Sequence, residues 1–162
     1  MEVIKGRVYK FGDNIDTDQI YPGRFLDISD HGEIAEHAMA GIDPDFTGKI
    51  TEGDIIVAGN NFGCGSSREH AVITLKEAGI SAVIASSFAR IFYRNAINLG
   101  LPVIEIKDLE IKEKEELTID INNSTIIREN GVNYNFIPFP EQILEILESG
   151  GIINYYRKNV EG

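Results

Sequence analysis

The middle third of the chain alternates short apolar runs with segments of helical spacing, and this pattern restricts the fold more than any other feature. The apolar runs are DIIVAG at residues 54–59, ISAVIA at 80–85 and LPVIEI at 101–106. Short β-branched runs of this kind are typical of strands buried on both faces of a sheet. Residues 66–78 and 88–99 between them predict two helices. The order strand, helix, strand, helix, strand predicts two right-handed crossovers and a parallel sheet.

The flanking segments predict further strands and helices around this parallel unit. Alternating or β-rich runs predict strands at residues 3–10, 116–122, 125–128 and 132–136. The pair around Asn122-Asn123 has the pattern of a hairpin. Helical spacing predicts helices at residues 33–40, 141–148 and 152–157. The fold class is therefore α/β, with a parallel central sheet and extra mixed strands.

The charge balance excludes one broad class of partner. The chain has 162 residues, which suits a single domain over residues 1–162, and its formal net charge is -11. General nucleic-acid binding depends on clustered Lys and Arg, so this acidity argues against it. A single positive pocket in an acidic surface can still hold an anionic substrate, although the charge also serves solubility.

Cysteine, histidine and apolar content limit the cofactors and the compartment. Cys64 is the only cysteine, so the chain cannot form an internal disulfide or supply the several thiolates of an iron–sulfur cluster. His31 and His37 lie six residues apart, which does not place them on one helix face. We therefore expect no metal site in this chain. Without a signal-peptide pattern or a run of ~20 apolar residues, we expect a cytoplasmic protein that contacts no membrane.

A glycine-rich turn carries the chemistry-bearing residues. Residues 59–70 read GNNFGCGSSREH and lie where a predicted parallel strand ends and a helix begins. Ligands of open α/β sheets bind at this edge. Gly63 and Gly65 allow positive φ angles and a close approach of the backbone to a ligand.

The residues after these glycines predict an anion site. Ser66 or Ser67 can cap the helix, and Glu69 lies three residues after Ser66, as a capping box requires. Free N–H groups at a helix start attract anions. Arg68 adds a planar guanidinium that can hold a carboxylate through two hydrogen bonds.

Other interpretations of the turn remain open from the residues alone. Many helices begin with glycine, serine and a charged first turn without binding a ligand. No Gly-Lys-Ser/Thr follows, which disfavours a phosphate-binding P-loop, and Arg68 stands where a dinucleotide site needs its third glycine. Cys64 fits three roles: a nucleophile, a metal ligand or a small turn residue. His70 fits a structural role better than a functional one.

The same residues carry a resemblance to a known family. Residues 61–71, NFGCGSSREHA, resemble the signature of the aconitase swivel domain, in particular of the stand-alone small subunits of 3-isopropylmalate dehydratase and homoaconitase. Residues 10–18, 87–98, 100–102 and 150–152 resemble further segments of those subunits in the same order. The resemblance spans nearly the whole chain.

The resemblance implies a swivelling β/β/α fold that closes over a large subunit carrying a [4Fe–4S] cluster. The reaction it implies is that of a hydro-lyase, which moves a hydroxyl group of a hydroxy-diacid by loss and re-addition of water in leucine biosynthesis. By position, Ser66 matches the base that removes the substrate proton. Ser67 and Arg68 match residues that bind a substrate carboxylate, and Asp18 matches an acidic position of the active-site loop with an electrostatic role.

One segment departs from the family pattern and bears on the substrate. Where the small subunits often have Tyr-Leu-Arg-Thr or Tyr-Leu-Val-Tyr, this chain has Phe25, Leu26, Asp27 and Ile28. Asp27 would repel an extra carboxylate, which argues against homoaconitate, whereas the three apolar residues can contact an isopropyl arm. A shifted alignment makes Arg24 the cation of this segment.

Several alternatives therefore accompany the hydro-lyase hypothesis. A dimethylmalate fits an apolar wall as well as an isopropylmalate does, so 2,3-dimethylmalate dehydratase and homoaconitase are alternative small-subunit functions. A protein of another class, a stand-alone module that senses a carboxylate, would use the same turn without a partner. The hydro-lyase hypothesis predicts a hetero-oligomer with a cluster-bearing large subunit.

Overall fold

The computed structural model describes residue 1 and residues 3–161, and its strands form a seven-stranded mixed sheet in the order β4-β3-β2-β1-β5-β6-β7. The strands are β1 (Ile4–Lys10), β2 (Ile55–Ala58), β3 (Ala82–Ala85), β4 (Val103–Glu105), β5 (Glu116–Asp120), β6 (Thr125–Arg128) and β7 (Asn133–Asn135). The first four strands pair in parallel, and β1, β5, β6 and β7 pair antiparallel.

Seven α-helices occur in the described part of the chain. They are α1 (Thr17–Ile20), α2 (His31–Ala35), α3 (Phe46–Lys49), α4 (Glu69–Glu77), α5 (Arg90–Leu99), α6 (Glu141–Glu148) and α7 (Ile152–Glu161). A 3₁₀ turn covers Gly23–Phe25. None of these helices is both long and apolar enough to cross a membrane.

Strand β1 joins the two halves of the sheet. Its residues Ile4 to Arg7 pair antiparallel with β5, and Val8 to Lys10 pair in parallel with β2. Because side chains alternate along a strand, the parallel strands present apolar groups to both faces. One set, which includes Ile56 and Ala58, packs against helices α4, α5 and α6. The other set, which includes Ile55 and Val57, packs against β5 and β6.

These packing faces produce three layers: antiparallel strands, parallel strands and helices. The structure confirms the predicted α/β class with a parallel unit and additional mixed strands, and its layers have the expected β/β/α order. The helix predicted at residues 33–40 is shorter than expected. Met39 adopts a left-handed φ of 58° and its N–H donates to the carbonyl of Ile20 at 2.7 Å, which turns the chain away from the helical path.

Candidate active site

Three loops run side by side at the carboxyl ends of β1, β2 and β3. The turn after β2 lies in the middle: its Gly63 N–H donates to the carbonyl of Ile15 at 2.7 Å, and its Phe62 N–H donates to the carbonyl of Ser87 at 3.0 Å. The turn is therefore held on both sides by backbone hydrogen bonds. Ser66 and Ser67, near its end, are exposed at the sheet edge where ligands bind in such folds.

Helix α4 begins later than predicted. Its N-cap is Arg68, with an extended backbone (φ -140°, ψ 112°) and no capping hydrogen bond from a side chain. The prediction that Ser66 or Ser67 caps this helix in a capping box with Glu69 is therefore wrong. The Thr17 hydroxyl donates to the carbonyl of Ser66 at 2.8 Å and keeps this segment in an extended loop.

The later helix start leaves the two serines available to a ligand. Ser66 and Ser67 are both exposed. Among residues 1 and 3–161, neither hydroxyl nor either backbone N–H of this pair donates a hydrogen bond. The predicted anion-binding groups are thus present, but on a loop that precedes the helix.

Arg68 and Asp18 form an oriented ion pair. The Arg68 Nη1 group donates to Asp18 Oδ1 at 3.1 Å and to the carbonyl of Tyr21 at 3.2 Å. Asp18 Oδ1 also accepts the N–H of Gly23 at 2.8 Å. This N–H bond first, and then the guanidinium, lower the pKa of Asp18, which favours its carboxylate form. Both interactions of Arg68 use Nη1, and within residues 1 and 3–161 its Nη2 group forms no hydrogen bond.

A cavity of about 190 Å³ lies between Arg68 and helix α5. Thr17, Ser67 and Arg68 line one side, and Arg90 and Asn95 of α5 line the other. The sequence patterns do not single out these two α5 residues. Their position in the sequence could have indicated them, because α5 follows a strand adjacent to β2 and so begins at the same sheet edge.

The segment expected to contact the variable arm of the substrate surrounds the 3₁₀ turn. The Arg24 guanidinium lies 4.5 Å from the Phe25 ring centre, and this ring stacks on His37 with centres 3.7 Å apart. Leu26 and Asp27 are exposed, and Ile28 is half-buried. No hydrogen bond in the described part of the chain joins the side chains of these five residues to the Ser66–Arg68 loop.

The aromatic side chains of Tyr21 and His70 support this segment, and neither was assigned to the site from the sequence. His70 stacks on Tyr21 with ring centres 5.4 Å apart, and its Nε2 forms a hydrogen bond with the carbonyl of Ile28 at 3.1 Å. The Tyr21 hydroxyl donates to the carbonyl of Phe25 at 2.6 Å. These contacts favour the structural interpretation of His70. The arm-contacting segment is thereby connected to the same Tyr21 whose carbonyl accepts from Arg68.

The residues of the site do not fit a metal cluster. Within the part that the structure describes, no group of three or more His, Cys, Asp or Glu side chains is arranged to hold a metal ion. Cys64 is a free, half-buried thiol, and a cluster of the iron–sulfur type needs several such ligands.

Comparisons with known proteins place the chain in a family. The profile of the Aconitase C-terminal domain matches residues 44–109. The 3-isopropylmalate dehydratase small subunit of Nautilia profundicola is 54% identical over 160 residues, which cover 98% of this chain and 96% of the relative. The methanogen homoaconitase small subunit of Methanothermobacter thermautotrophicus is 51% identical, with 98% and 94% covered.

A solved structure agrees with this placement. The crystal structure of 3-isopropylmalate dehydratase from Methanocaldococcus jannaschii has a TM-score of 0.94 and 51% sequence identity, over 99% of this chain and 96% of that one. Aconitase X of Thermococcus kodakaraensis has a TM-score of 0.53 at 17% identity over 78% of this chain and 90% of that one, which is a likeness of fold alone. The chain belongs to the family of 3-isopropylmalate dehydratase small subunits.

Proposed function

We propose that this chain is the small subunit of a hydro-lyase that interconverts 2-isopropylmalate and 3-isopropylmalate in leucine biosynthesis. One observation carries the proposal: two exposed serines directly precede an arginine that pairs with Asp18 and lines a cavity. This is the arrangement that a dicarboxylate needs, since one group can hold a carboxylate while another exchanges a proton. The family relationship supports the same reaction.

Ser66 is the residue we assign as the base. It takes the proton from C3 of 2-isopropylmalate as the hydroxyl group leaves C2. When water adds again, the hydroxyl group joins C3 and Ser66 returns a proton to C2. A serine hydroxyl is a weak base and needs stabilisation of its alkoxide. The Arg68 charge and the unbonded N–H groups before α4 can supply that stabilisation.

Ser67 and Arg68 are the residues we assign to a substrate carboxylate. Arg68 is only 19% exposed and has one terminal nitrogen fixed by protein acceptors, so its remaining donors point in a defined direction. Asp18 has a supporting role, because its carboxylate orients that guanidinium. An oriented donor loses less entropy when the substrate binds.

A large subunit has to complete the site. We infer that the chain acts as one swivelling unit in a hetero-oligomer, and that the partner holds a [4Fe–4S] cluster that polarises the leaving hydroxyl as a Lewis acid. The single cysteine of this chain and the exposure of its serines support this division of the site between two polypeptides.

The identity of the substrate has a second candidate, which differs in its variable arm. The similarity to a methanogen homoaconitase small subunit favours homocitrate-type substrates, whereas the exposed Asp27 disfavours a third carboxylate near it. A panel of 2-isopropylmalate, 2,3-dimethylmalate and homocitrate on the reconstituted enzyme separates these candidates. We expect the highest kcat/KM for 2-isopropylmalate.

The Ser66→Ala variant tests the mechanism. With a cluster-bearing large subunit added under anaerobic conditions, we expect its turnover to fall about 10³-fold or more while the subunits still associate, because the proton acceptor is lost. Ser149→Ala, at the end of α6, removes a serine remote from the site and should retain full activity.

Full turnover of the Ser66→Ala enzyme would contradict the proposal. Calorimetry of the isolated chain with the diacid tests the alternative class. Tight binding without a partner would favour a carboxylate sensor over a subunit of an enzyme.

A further inference from the structure

Thr17 is a buried polar residue that bonds directly to the backbone of Ser66. Its side chain lies on α1, and the residue is only 3% exposed. The hydroxyl donates to the Ser66 carbonyl at 2.8 Å, and the Thr17 N–H donates to the carbonyl of Cys64 at 2.9 Å. Two hydrogen bonds from one residue therefore hold the end of the glycine-rich turn.

The hydroxyl bond acts where the turn is least restricted. Gly65 adopts a left-handed φ of 95°, and a glycine at this point gives the following residue many accessible orientations. A hydrogen bond to the Ser66 carbonyl limits rotation about the covalent bond between this carbonyl carbon and the Ser66 Cα atom. Removing that hydrogen bond would take away a direct constraint on the orientation of the Ser66 side chain.

Thr17 is itself firmly placed. Asp16 forms a capping box with Gln19, in which each side chain accepts the backbone N–H of the other residue, at 2.8 and 2.9 Å. The next residue, Asp18, holds Arg68. Two consecutive residues of α1 thus form hydrogen bonds with the two ends of the Ser66–Arg68 loop.

We propose that Thr17 is a positioning residue, whose hydroxyl keeps Ser66 at the reacting carbon of the substrate. This inference rests on the proposed role of Ser66 as the base. Thr17 acts through Ser66 and exchanges no proton with the substrate.

Two variants of Thr17 separate the hydroxyl from the shape of the side chain. Thr17→Val keeps the branched shape and loses the donor, whereas Thr17→Ser keeps the donor and loses a methyl group. Thr74→Val is the matched control, because Thr74 is fully buried and its hydroxyl also donates to a backbone carbonyl, that of Ile34 at 2.7 Å. That bond lies outside the site.

The variants are measured in the reconstituted enzyme with 2-isopropylmalate and with the same substrate deuterated at C3. In Thr17→Val we expect kcat to fall about ten- to a hundredfold, because a small misplacement of a reacting group has a cost of this size. KM should change less than about threefold, since the carboxylate contacts remain. The isotope effect on kcat should rise, because removal of the C3 proton becomes slower. Thr17→Ser should recover most of the activity, and Thr74→Val should lose thermal stability but keep kcat and the isotope effect.

Two results would overturn the inference. One is a Thr17→Val enzyme whose kcat and isotope effect equal those of Thr74→Val. The other is a Thr17→Ser enzyme that loses as much kcat as Thr17→Val. If Ser66→Ala is inactive in the same assay, either result removes the role of Thr17 and leaves the proposed function intact. If Ser66→Ala is active, the proposed function fails first.

Discussion

In the proposed site, Arg68 uses different nitrogens for the protein and for the substrate. Its Nη1 group is committed to Asp18 and to the Tyr21 carbonyl, and Arg68 is also one of the residues that line the cavity. A lysine has one ammonium group and cannot divide these tasks between fixed nitrogens. The planar fork at this position therefore matters as well as the charge.

Arg68→Lys should weaken substrate binding more than turnover. We expect KM to rise about ten- to a hundredfold with a smaller change in kcat, because the charge remains and the two-point contact is lost. Steady-state kinetics of the reconstituted enzyme measure both constants. Arg94→Lys changes an exposed arginine of α5 that does not line the cavity, and it should leave KM unchanged. An equal KM in the two variants would remove Arg68 from the carboxylate site.

The residues of the proposed site could be selected from the sequence, but their contacts could not. Ser66, Ser67 and Arg68 are consecutive residues in a recognisable turn, so local patterns were sufficient to select them. Thr17 bonds to a residue 49 positions away. No local pattern reports such a bond, because it depends on how the loop after β1 lies against the loop after β2.

At the scale of elements, α5 determines how closely the turn can approach the helix layer. Gly63 has a left-handed φ of 84°, and a Cβ atom there would overlap the Cβ and Cγ atoms of Phe92. The Phe92 ring packs edge-on against Phe62, with centres 5.2 Å apart. The turn therefore lies directly on α5, which explains how Arg90 and Arg68 come to line the same small cavity.

Gly63→Ala should destabilise the protein by about 2–5 kcal/mol, because it adds backbone strain to a collision in a packed contact. Denaturant unfolding of the isolated chain measures this change. Gly12→Ala is the control, since no atom lies within 4 Å of a Cβ atom placed at that loop glycine. Equal free energies of unfolding for the two variants would show that the turn does not rest on Phe92.

The elements themselves were predicted well where a local pattern defines them and poorly where a tertiary contact ends them. The apolar runs became β2, β3 and β4, and the helix predicted at residues 141–148 has those bounds in the structure. The start of α4 was wrong because the Thr17 bond competes with helical capping at Ser66. Capping preferences amount to about 1 kcal/mol and yield to such contacts.

At the scale of the whole molecule, a buried ion pair within the antiparallel half lies beside the point at which the two halves of the sheet meet. Glu115 accepts from Arg128 Nε at 3.0 Å and Nη2 at 2.9 Å, and its side chain is 5% exposed. The Glu115 carbonyl accepts the N–H of Val8, the residue at which β1 changes partners. Breaking this pair would loosen the junction between the two halves of the sheet.

The Glu115–Arg128 pair should make folding stability depend on pH in the acidic range. The hydrogen bonds from Arg128 first, and then those from the backbone, lower the pKa of Glu115 from 4.5 to about 2. A pKa that is lower in the folded state stabilises the fold above the unfolded value, and this contribution is lost as the pH falls from 4.5 through 2. Glu115→Gln cannot release a proton, so we expect it to be less stable than the parent at pH 7 and to approach the parent's stability near pH 2. Denaturant unfolding at a series of pH values measures this convergence.

Glu116→Gln, which changes the adjacent exposed carboxylate, serves as the control. A constant difference between Glu115→Gln and the parent from pH 7 to pH 2 would show that the ion pair does not produce the acid sensitivity.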